Sequence, residues 1–417
     1  MPQSEWSSAR RVAFRFAAVY LFLYLFPFPF SAIPGLDKLF AWWDNAWEVI
    51  VKWTGLRVFG VTITVLPNGS GDTTFNYVQV FCLVVIAALA TLVWTLFDRR
   101  TEYVALHHWL RVYVRFYLAT AMFGYGAVKV LQSQFPAPSL DRLIQPFGDA
   151  SPMGLLWTFM GASAAYNIFT GAGEMLGGLL LTTRRTTTLG ALVVIAVMSN
   201  VTMLNFAYDV PVKLFSTHLL AMAVFLLLPD LRRLANVFVL NRPAEAVELR
   251  PQLGERWRRW APAARTLFVL ALVALSVQQA RENQNIYKAR SPFRGIWNVE
   301  EFALDGRVLP PVVGDASRWR RVVFDYPQSL GIQLMTDGRE RFRLKLDEPK
   351  RTMTLSRGTD PTKKFSLAYA VPAPDVMTID GRLDGKRVQA RLRRAPLPQF
   401  LLTSRGFHWI NEYPFNR

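Results

Sequence analysis

Long runs of apolar residues constrain this chain more than any other feature, because about 20 such residues match the thickness of a bilayer. Only 19% of the 417 residues are charged, and most of the apolar runs contain almost no charged residue. This pattern disfavours a simple soluble enzyme and predicts a polytopic α-helical membrane protein with about seven transmembrane helices. The runs cover about residues 12–33, 77–97, 106–131, 161–183, 187–207, 212–229 and 263–280.

Basic residues cluster in alternate loops, and such clusters face the cytoplasm. Arg99 and Arg100 follow the second run, and Arg184 and Arg185 separate the fourth from the fifth. Further clusters flank the start of the first run and fill the loop between the sixth and seventh. All of them share one side if the N-terminus is cytoplasmic. Seven helices then place everything after residue 288 outside the cytoplasm.

The loop from residue 36 to residue 57 is rich in tryptophan and also carries polar residues. Indole side chains favour the headgroup zone of a bilayer, so the pattern predicts an amphipathic helix at the interface. A lid over a functional site is the alternative.

The composition changes near residue 288. Short segments with alternating apolar residues follow, and Asp-Gly pairs at 305–306, 337–338, 380–381 and 384–385 predict tight turns between them. Eight strands at regular spacing predict a small closed antiparallel β-barrel. The segments are 297–304, 320–325, 331–335, 341–346, 352–356, 364–370, 376–379 and 387–392.

Gly295-Ile296-Trp297 at the first of these strands resembles the entry motif of lipocalins. The resemblance implies a tryptophan that closes one end of the barrel. An eight-stranded barrel either holds one small apolar ligand or is filled by its own side chains, and both alternatives stay open. Residues 288–417 carry 24 Lys+Arg and 14 Asp+Glu, which is +10 of the net +18. The aromatic stretch 405–417 is expected to dock onto the barrel or the membrane part.

Charged residues at membrane depth are costly and usually face the interior of a helix bundle. Arg111, Arg115 and Lys129 share one stripe of the third helix, and Tyr125 lies beside it. Arg115 and Glu174 each lie about nine residues from the inner end of their helices, so we predict that they pair. Either a structural ion pair or part of a proton-relay site fits this prediction.

Other polar residues fall in the outer half of the predicted bundle and are expected to converge on one pocket that opens outward. His218, on the sixth helix, is either a hydrogen-bonded packing residue or a catalytic one. The four histidines are scattered, and we predict no metal site. With Lys129, the residues of this pocket are Tyr125, Tyr166, Asn167, Asn200, Asn205, Asp209 and His218.

The tract from Gly124 to Lys129, the tract from Gly171 to Gly178, and Asn200 resemble DoxX-like membrane proteins over about residues 105–235. The resemblance implies a four-helix core and contact with a quinone, because some members are subunits of a thiosulfate:quinone oxidoreductase. A more distant similarity is to the transmembrane domain of vitamin K-dependent carboxylase-like proteins. It implies that Lys129 acts as a base, although this chain lacks much of the carboxylase's length.

These observations lead to two hypotheses. In the first, a DoxX-like protein of the bacterial inner membrane binds a quinone or lipid-like molecule in redox or lipid-modifying chemistry. Its catalytic candidates are Lys129, His218, Arg115 and Glu174. In the second, a non-catalytic anchor presents the barrel to a ligand or to a protein partner in the cell envelope. Nucleic acid is not an expected partner, and whether the chain is an enzyme stays open. The predicted divisions are 1–104, 105–235, 236–287 and 288–417.

Overall fold

The computed structural model describes residues 6–33, 35–65, 69–245, 255–358, 360–397 and 399–416. The chain divides into two compact units. One unit, here called the helical unit, comprises Met1–Val130 and Ile168–Ala280. The other, here called the barrel unit, comprises Leu131–Asn167 and Arg281–Arg417. Residues 131–167 therefore pack with the barrel, although they lie in the middle of the predicted 105–235 core.

Helices make up nearly all of the helical unit. Most of their bounds agree with the predicted runs to within a few residues, because each helix is one continuous apolar segment that ends at polar or Gly/Pro-containing sequence. They are α1 (Ser8–Leu25), α2 (Ala41–Val58), α3 (Thr74–Phe97), α4 (Val104–Val130), α7 (Ala164–Thr182), α8 (Thr187–Ala207), α9 (Lys213–Leu227), α10 (Leu231–Phe238) and α11 (Glu255–Lys288). The short helices α5 (Leu140–Leu143) and α6 (Pro152–Ala162) belong to the barrel unit.

Five helical segments within the described residues are long and apolar enough to cross a membrane. The helices α4 and α7 are not among them, since α4 carries Arg111, Arg115 and Lys129 and α7 has 19 residues that include Glu174. The chain thus has the helices of a membrane protein, and their length and composition support five spans. The five segments are Ser8–Ala32, Thr74–Phe97, Arg184–Ala207, Lys213–Phe238 and Arg259–Lys288.

The helices α4 and α7 run antiparallel and meet at glycines. A Cβ atom added to Gly126 would lie 2.7 Å from the carbonyl oxygen of Gly171, and one added to Gly171 would meet the Gly126 oxygen at the same distance. Further along the crossing, a Cβ atom on Gly178 would lie 3.2 Å from the Ala119 oxygen. Small residues let two helix backbones approach closely. This contact fixes which side chains of the two helices face each other.

The predicted amphipathic helix is present as α2. Trp47 and Val51 are buried in a cluster with Cys82 and Leu83 of α3. Trp42 and Trp53 are exposed on the opposite face. The helix therefore has one apolar face against its own unit and a second apolar face without protein cover among the described residues.

The predicted barrel is confirmed. All eight expected segments are strands, and the first pairs with the last, so the antiparallel sheet closes. A two-residue strand, β2 (Arg307–Val308), extends the first hairpin. The barrel strands are β1 (Gly295–Leu304), β3 (Trp319–Phe324), β4 (Ser329–Leu334), β5 (Arg339–Asp347), β6 (Thr352–Arg357), β7 (Asp360–Ala373), β8 (Val376–Leu383) and β9 (Lys386–Arg394).

Three of the four Asp-Gly pairs lie in turns, as predicted. Asp305-Gly306 and Asp384-Gly385 have positive φ at both residues, which tight hairpins require. The prediction for 380–381 is wrong, because Asp380 and Gly381 lie inside β8. A Cβ atom on Gly381 would approach the Leu367 Cα of the neighbouring strand to 2.8 Å. The glycine is therefore needed for close strand packing and not for a turn.

One contiguous apolar cluster occupies the inside of the barrel. Its members come from all eight strands and include Trp297, which is 1% exposed, and Phe302, Trp319 and Phe324. The indole Nε1 of Trp297 donates to the Phe293 oxygen at 2.9 Å, and the Arg394 guanidinium lies 5.5 Å from the ring. The tryptophan predicted from the entry motif is thus a core residue near the start of β1.

Residues 131–167 pack against the outer surface of the barrel. Leu140 packs on Ile296 and Val323, which point away from the interior. The carboxylate of Asp141 accepts hydrogen bonds from Arg339 at 3.2 Å and Arg341 at 2.7 Å. These contacts combine burial of apolar surface with two ion pairs, so this segment is an integral part of the barrel unit.

The aromatic stretch does not dock onto the barrel. Phe407, Trp409, Ile410 and Tyr413 are at least 76% exposed. The prediction of docking onto the barrel is therefore wrong for the described residues of this stretch, and Arg417 lies outside them.

Candidate functional site

A buried ion pair joins α4 to α7. The Lys129 Nζ atom lies 2.5 Å from the Glu174 Oε1 atom, and the two side chains are 7% and 2% exposed. The predicted partner of Glu174 was Arg115, and that prediction is wrong. The Arg115 Nη1 atom instead lies 3.4 Å from the hydroxyl of Thr187.

The register of the two helices explains the correction. Gly126 packs against Gly171 and Met175, and the Cβ atom of Lys129 faces Gly171. The lysine side chain then reaches Glu174, which lies one turn further along α7. Arg115 lies 11 residues before Gly126, which is about 16 Å along the helix. Estimating depth from the helix ends failed because α4, with 27 residues, extends well past the inner end of α7, with 19.

An aromatic ring and an open acceptor adjoin this pair. The Lys129 Nζ atom lies 5.7 Å from the centroid of Tyr125, whose ring is 6.0 Å from that of Phe215 on α9. The second carboxylate oxygen of Glu174, Oε2, is buried and has no hydrogen-bond partner within the described part of the chain. A buried carboxylate oxygen normally accepts a hydrogen bond, so this oxygen can accept one from a further donor.

His218 is held between α9 and α1. Its Nδ1 atom lies 2.7 Å from the Leu214 oxygen, and its Nε2 atom lies 2.6 Å from the Tyr20 hydroxyl. The ring stacks on Tyr24 at 4.1 Å with an interplanar angle of 3°. A carbonyl oxygen only accepts, so in the neutral ring Nδ1 carries the proton and Nε2 accepts from Tyr20.

Tyrosines extend from the histidine toward the ion pair. Tyr20 stacks on Tyr24 at 6.2 Å, and Tyr24, Tyr117 and Phe215 pack against one apolar cluster of the helical unit. Tyr125 lies next to Lys129. We call Tyr20, Tyr24, Tyr117, Tyr125 and Phe215 the aromatic wall. The sequence analysis missed Tyr20, Tyr24 and Tyr117. The four-residue spacing of Tyr20 and Tyr24 on α1, which places both on one helix face, was the available signal.

The other predicted pocket residues do not converge on this pair. Asn200 is exposed, and Asp209 is 84% exposed and pairs with Lys213 at 2.8 Å. Asn205 is buried in α8, and its Nδ2 atom has no partner among the described residues. Asn167 belongs to the barrel unit, where its Nδ2 atom donates to the Phe135 oxygen at 3.0 Å. Of the predicted set, the structure brings together Lys129, Glu174 and Tyr125.

The chemistry available at the site is that of proton exchange and polar recognition. The Lys129 Nζ atom donates to the Glu174 carboxylate at 2.5 Å, which is the geometry that a proton transfer requires. The aromatic wall offers flat apolar contact. Among the described residues there is no group of three or more His, Cys, Asp or Glu side chains that could hold a metal ion.

A Bacillus subtilis (strain 168) protein described as "Uncharacterized protein YwoB" is 33% identical to this chain over 126 residues. The match covers 30% of this chain and 79% of YwoB. No family model matches the chain, and no solved structure matches it. The description of YwoB mentions no ligand or reaction, so the resemblance to DoxX-like proteins and to the carboxylase-like domain stays a prediction.

Proposed function

The chain belongs to the same family as the Bacillus subtilis protein YwoB, and we propose that its helical unit binds an amphiphilic small molecule with a polar head, a quinone or a lipid-like compound. The head would lie at the Lys129–Glu174 pair, and the apolar part would lie along the aromatic wall. This proposal retains the leading hypothesis from the sequence and replaces its Arg115–Glu174 pair.

The buried ion pair is the observation that carries the proposal. Burying two charges costs several kcal/mol per ion, and apolar residues of similar size often serve stability as well or better. Ionisable residues within membrane helices therefore point to function first. The Oε2 atom of Glu174, which lacks a partner among the described residues, supports the same conclusion, because a ligand hydroxyl would satisfy it.

Each residue has a role in this proposal. Lys129 donates to a carbonyl or phosphate oxygen of the head and, after passing its proton to Glu174, acts as a base toward the ligand. Tyr125 and Phe215 cover the face of the head group. At the other end of the wall, the Nε2 atom of His218 accepts a hydrogen bond from the Tyr20 hydroxyl and so fixes the orientation of that ring. The resemblance to DoxX-like proteins favours a quinone, and the similarity to the carboxylase-like domain favours Lys129 as the base.

The proposal includes seven membrane crossings, which are the five apolar segments together with α4 and α7. The barrel unit contains both 131–167 and 281–417 in one compact body, so a bilayer cannot separate them. An even number of crossings is then expected between these segments. Because α8, α9 and α11 supply three, we propose α7 as the fourth. With α7 crossing, the basic loops at 99–100 and 184–185 share a side only if α4 crosses too. In this arrangement the barrel unit, which includes the C-terminal strands, would be extracytoplasmic.

Reporter fusions test this topology. A periplasm-active reporter inserted at Phe147, which is 80% exposed, is expected to be active, and so is one fused after Arg417. The same reporter inserted between Arg184 and Arg185 is expected to be inactive. Opposite activity at positions 147 and 417 would contradict the seven-span arrangement.

Mass spectrometry of small molecules that co-purify in mild detergent tests the ligand. The wild-type protein is expected to carry one quinone or lipid-like molecule per chain, and Lys129→Met is expected to lose it. Lys52→Met is the matched control, because Lys52 is an exposed lysine of α2 that pairs with Glu48. Equal ligand content in all three proteins would assign the molecule to the annular lipid and overturn the proposal.

A second candidate function rests on the barrel. Its surface carries an excess of arginine, and neighbouring outward arginines of β9 such as Arg391 and Arg393 share the carboxylate of Glu300. A basic surface favours an acidic partner in the envelope. If this is the function, Arg391→Ser with Arg393→Ser abolishes the cellular phenotype and Lys129→Met leaves it intact. The reverse result favours the ligand site.

A further inference from the structure

The segment 405–416, here called the aromatic loop, presents apolar side chains outward. Trp409 is 91% exposed, Tyr413 84%, and Phe407 and Ile410 76% each. Four neighbouring large apolar side chains with this exposure are rare on a protein that contacts only water, and such a patch marks an interaction surface.

The aromatic loop is not an extended tail. The Arg405 guanidinium lies 3.9 Å from the ring of Phe415, and its Nη2 atom donates to the Asn411 Oδ1 atom at 2.6 Å. The Asn411 Nδ2 atom in turn donates to the His408 oxygen at 3.2 Å. These contacts close the loop on Arg405 and leave Trp409 at its outer side.

The aromatic loop follows the barrel end at which the chain arrives from α11. The last residue of β9, Arg394, pairs with Trp297 near the start of β1, and the Ala395 nitrogen donates to the Ile296 oxygen at 2.8 Å. Only residues 289–294 separate α11 from β1, and six residues reach at most about 22 Å. If α11 crosses the membrane, the length of this connection alone keeps the start of β1 within that distance of the bilayer surface.

Positive charge surrounds the same end of the barrel. Arg290 and Arg294 share the single carboxylate of Asp325, and Arg394 lies at the same end through its pairing with β1. The segment from 288 onward has a net charge of +10. Arginine with tryptophan, tyrosine and phenylalanine is the composition that proteins place at the headgroup level of a bilayer.

We propose that the aromatic loop is an interfacial anchor that inserts Trp409, Phe407 and Ile410 among the headgroups of an anionic phospholipid bilayer. The anchor gives the barrel a second attachment besides α11 and so fixes its orientation over the membrane. The inference rests on the crossing of α11 and is independent of the ligand proposed for the helical unit.

Site-specific fluorescence in nanodiscs tests the anchor. The full chain with Cys82→Ala, which removes its single cysteine, receives Trp409→Cys and an environment-sensitive fluorophore. In phosphatidylglycerol-containing nanodiscs with a nitroxide at shallow acyl depth, the probe at position 409 is expected to shift to shorter wavelength and lose most of its emission. The matched control is Val313→Cys, since Val313 is 87% exposed in the loop between β2 and β3 at the other end of β1.

Two results would overturn the anchor. One is equal quenching at positions 409 and 313 in the anionic nanodiscs. The other is efficient disulfide cross-linking between two copies of the unlabelled Trp409→Cys variant in proteoliposomes, which would assign the loop to a second copy of this chain. A Phe407→Ser, Ile410→Ser variant of the labelled protein adds a second readout. It is expected to abolish the quenching at position 409 and to leave the unfolding temperature unchanged, because both side chains are exposed.

Discussion

The buried ion pair of the helical unit and the ion pairs on the outer wall of the barrel lie in different surroundings. Within the helical unit, Lys129 pairs with Glu174 out of contact with water, and the buried Arg15 donates to Tyr103 and Thr95. In the barrel unit, ion pairs lie on the outer wall, as Arg393 with Glu300 and Arg387 with Asp380 do at about half exposure. Water screens the second kind of pair and not the first. Each enclosed charge therefore depends on its particular partner, whereas an exposed pair on the barrel wall contributes little to stability.

The strongest test of this contrast removes one member of the enclosed pair. Lys129→Met leaves the Glu174 carboxylate buried without its cation, and we expect a loss of about 3–5 kcal/mol of unfolding free energy. The double variant Lys129→Met, Glu174→Gln removes both charges and should recover most of that loss. Denaturant titration in mild detergent measures all three proteins.

Arg393→Ser in the barrel is the matched control, because its partner Glu300 stays solvated. We expect it to leave the unfolding free energy nearly unchanged, because water screens an exposed ion pair. If Lys129→Met cost no more than Arg393→Ser, the helical pair would be solvated and the contrast between the units would be lost.

A second test addresses the helix crossing that creates the pair. Gly126→Ala places a Cβ atom 2.7 Å from the Gly171 oxygen, so the helices must separate, and we expect a loss of about 2–3 kcal/mol. Gly124→Ala is the control two residues away, where an added Cβ meets nothing within 4 Å. Alanine favours a helix over glycine, so this control should be neutral or stabilise by about 0.5–1 kcal/mol. Equal effects at the two positions would show that the crossing is loose.

Patterns that repeat along the chain made most of the fold predictable. The apolar runs locate the helices, and the alternating segments after residue 288 locate all eight barrel strands. The attachment of 131–167 to the barrel was not predictable, because Leu140 and Asp141 meet β1, β3 and β5 about 150 to 200 positions further along the sequence. The role of Gly381 was also not predictable, because it depends on the close approach of Leu367 on the neighbouring strand. An Asp-Gly pair by itself indicates a turn.

The site was predictable in composition and not in pairing. Lys129, Glu174 and Tyr125 were identified because charge at membrane depth is unusual. Their arrangement depends on the helix crossing at Gly126 and Gly171, and a shift of one turn would have offered Glu174 a different partner. The stacking of His218 on Tyr24 required knowing that α9 packs against α1, which no local pattern contains.

A third prediction tests whether residues 131–167 are held to the barrel by ion pairs. Asp141→Asn removes the ion pairs to Arg339 and Arg341, and we expect the barrel unit to lose about 1–2 kcal/mol. Amide hydrogen exchange should rise most at residues 139–144, because the two ion pairs hold this segment against β5. Asp149→Asn is the control, because Asp149 is exposed in the same segment. Unchanged exchange in Asp141→Asn would indicate that apolar packing of Leu140 alone holds the segment.

The smallest expected effect is a pH dependence of the barrel wall. Hydrogen bonds from Arg387 and Gln389 lower the pKa of the Asp380 carboxyl below its usual value. A carboxyl group with a lower pKa in the folded state stabilises that state at neutral pH, and the contribution disappears as the pH falls below the usual aspartate range toward the lowered value. Because the pair is about half exposed, we expect Asp380→Asn to cost about 0–1 kcal/mol at pH 7.

The same variant should cost less at pH 3 than at pH 7, because the wild-type carboxyl is then partly protonated as well. Amide exchange of β8 and β9 at the two pH values measures the difference. Arg382→Ser is the control, since Arg382 is a neighbouring arginine of β8 outside this carboxylate cluster. A cost for Asp380→Asn that is the same at both pH values would mean that shape, and not charge, sets its contribution. The barrel wall would then resemble the helical unit in depending on particular partners.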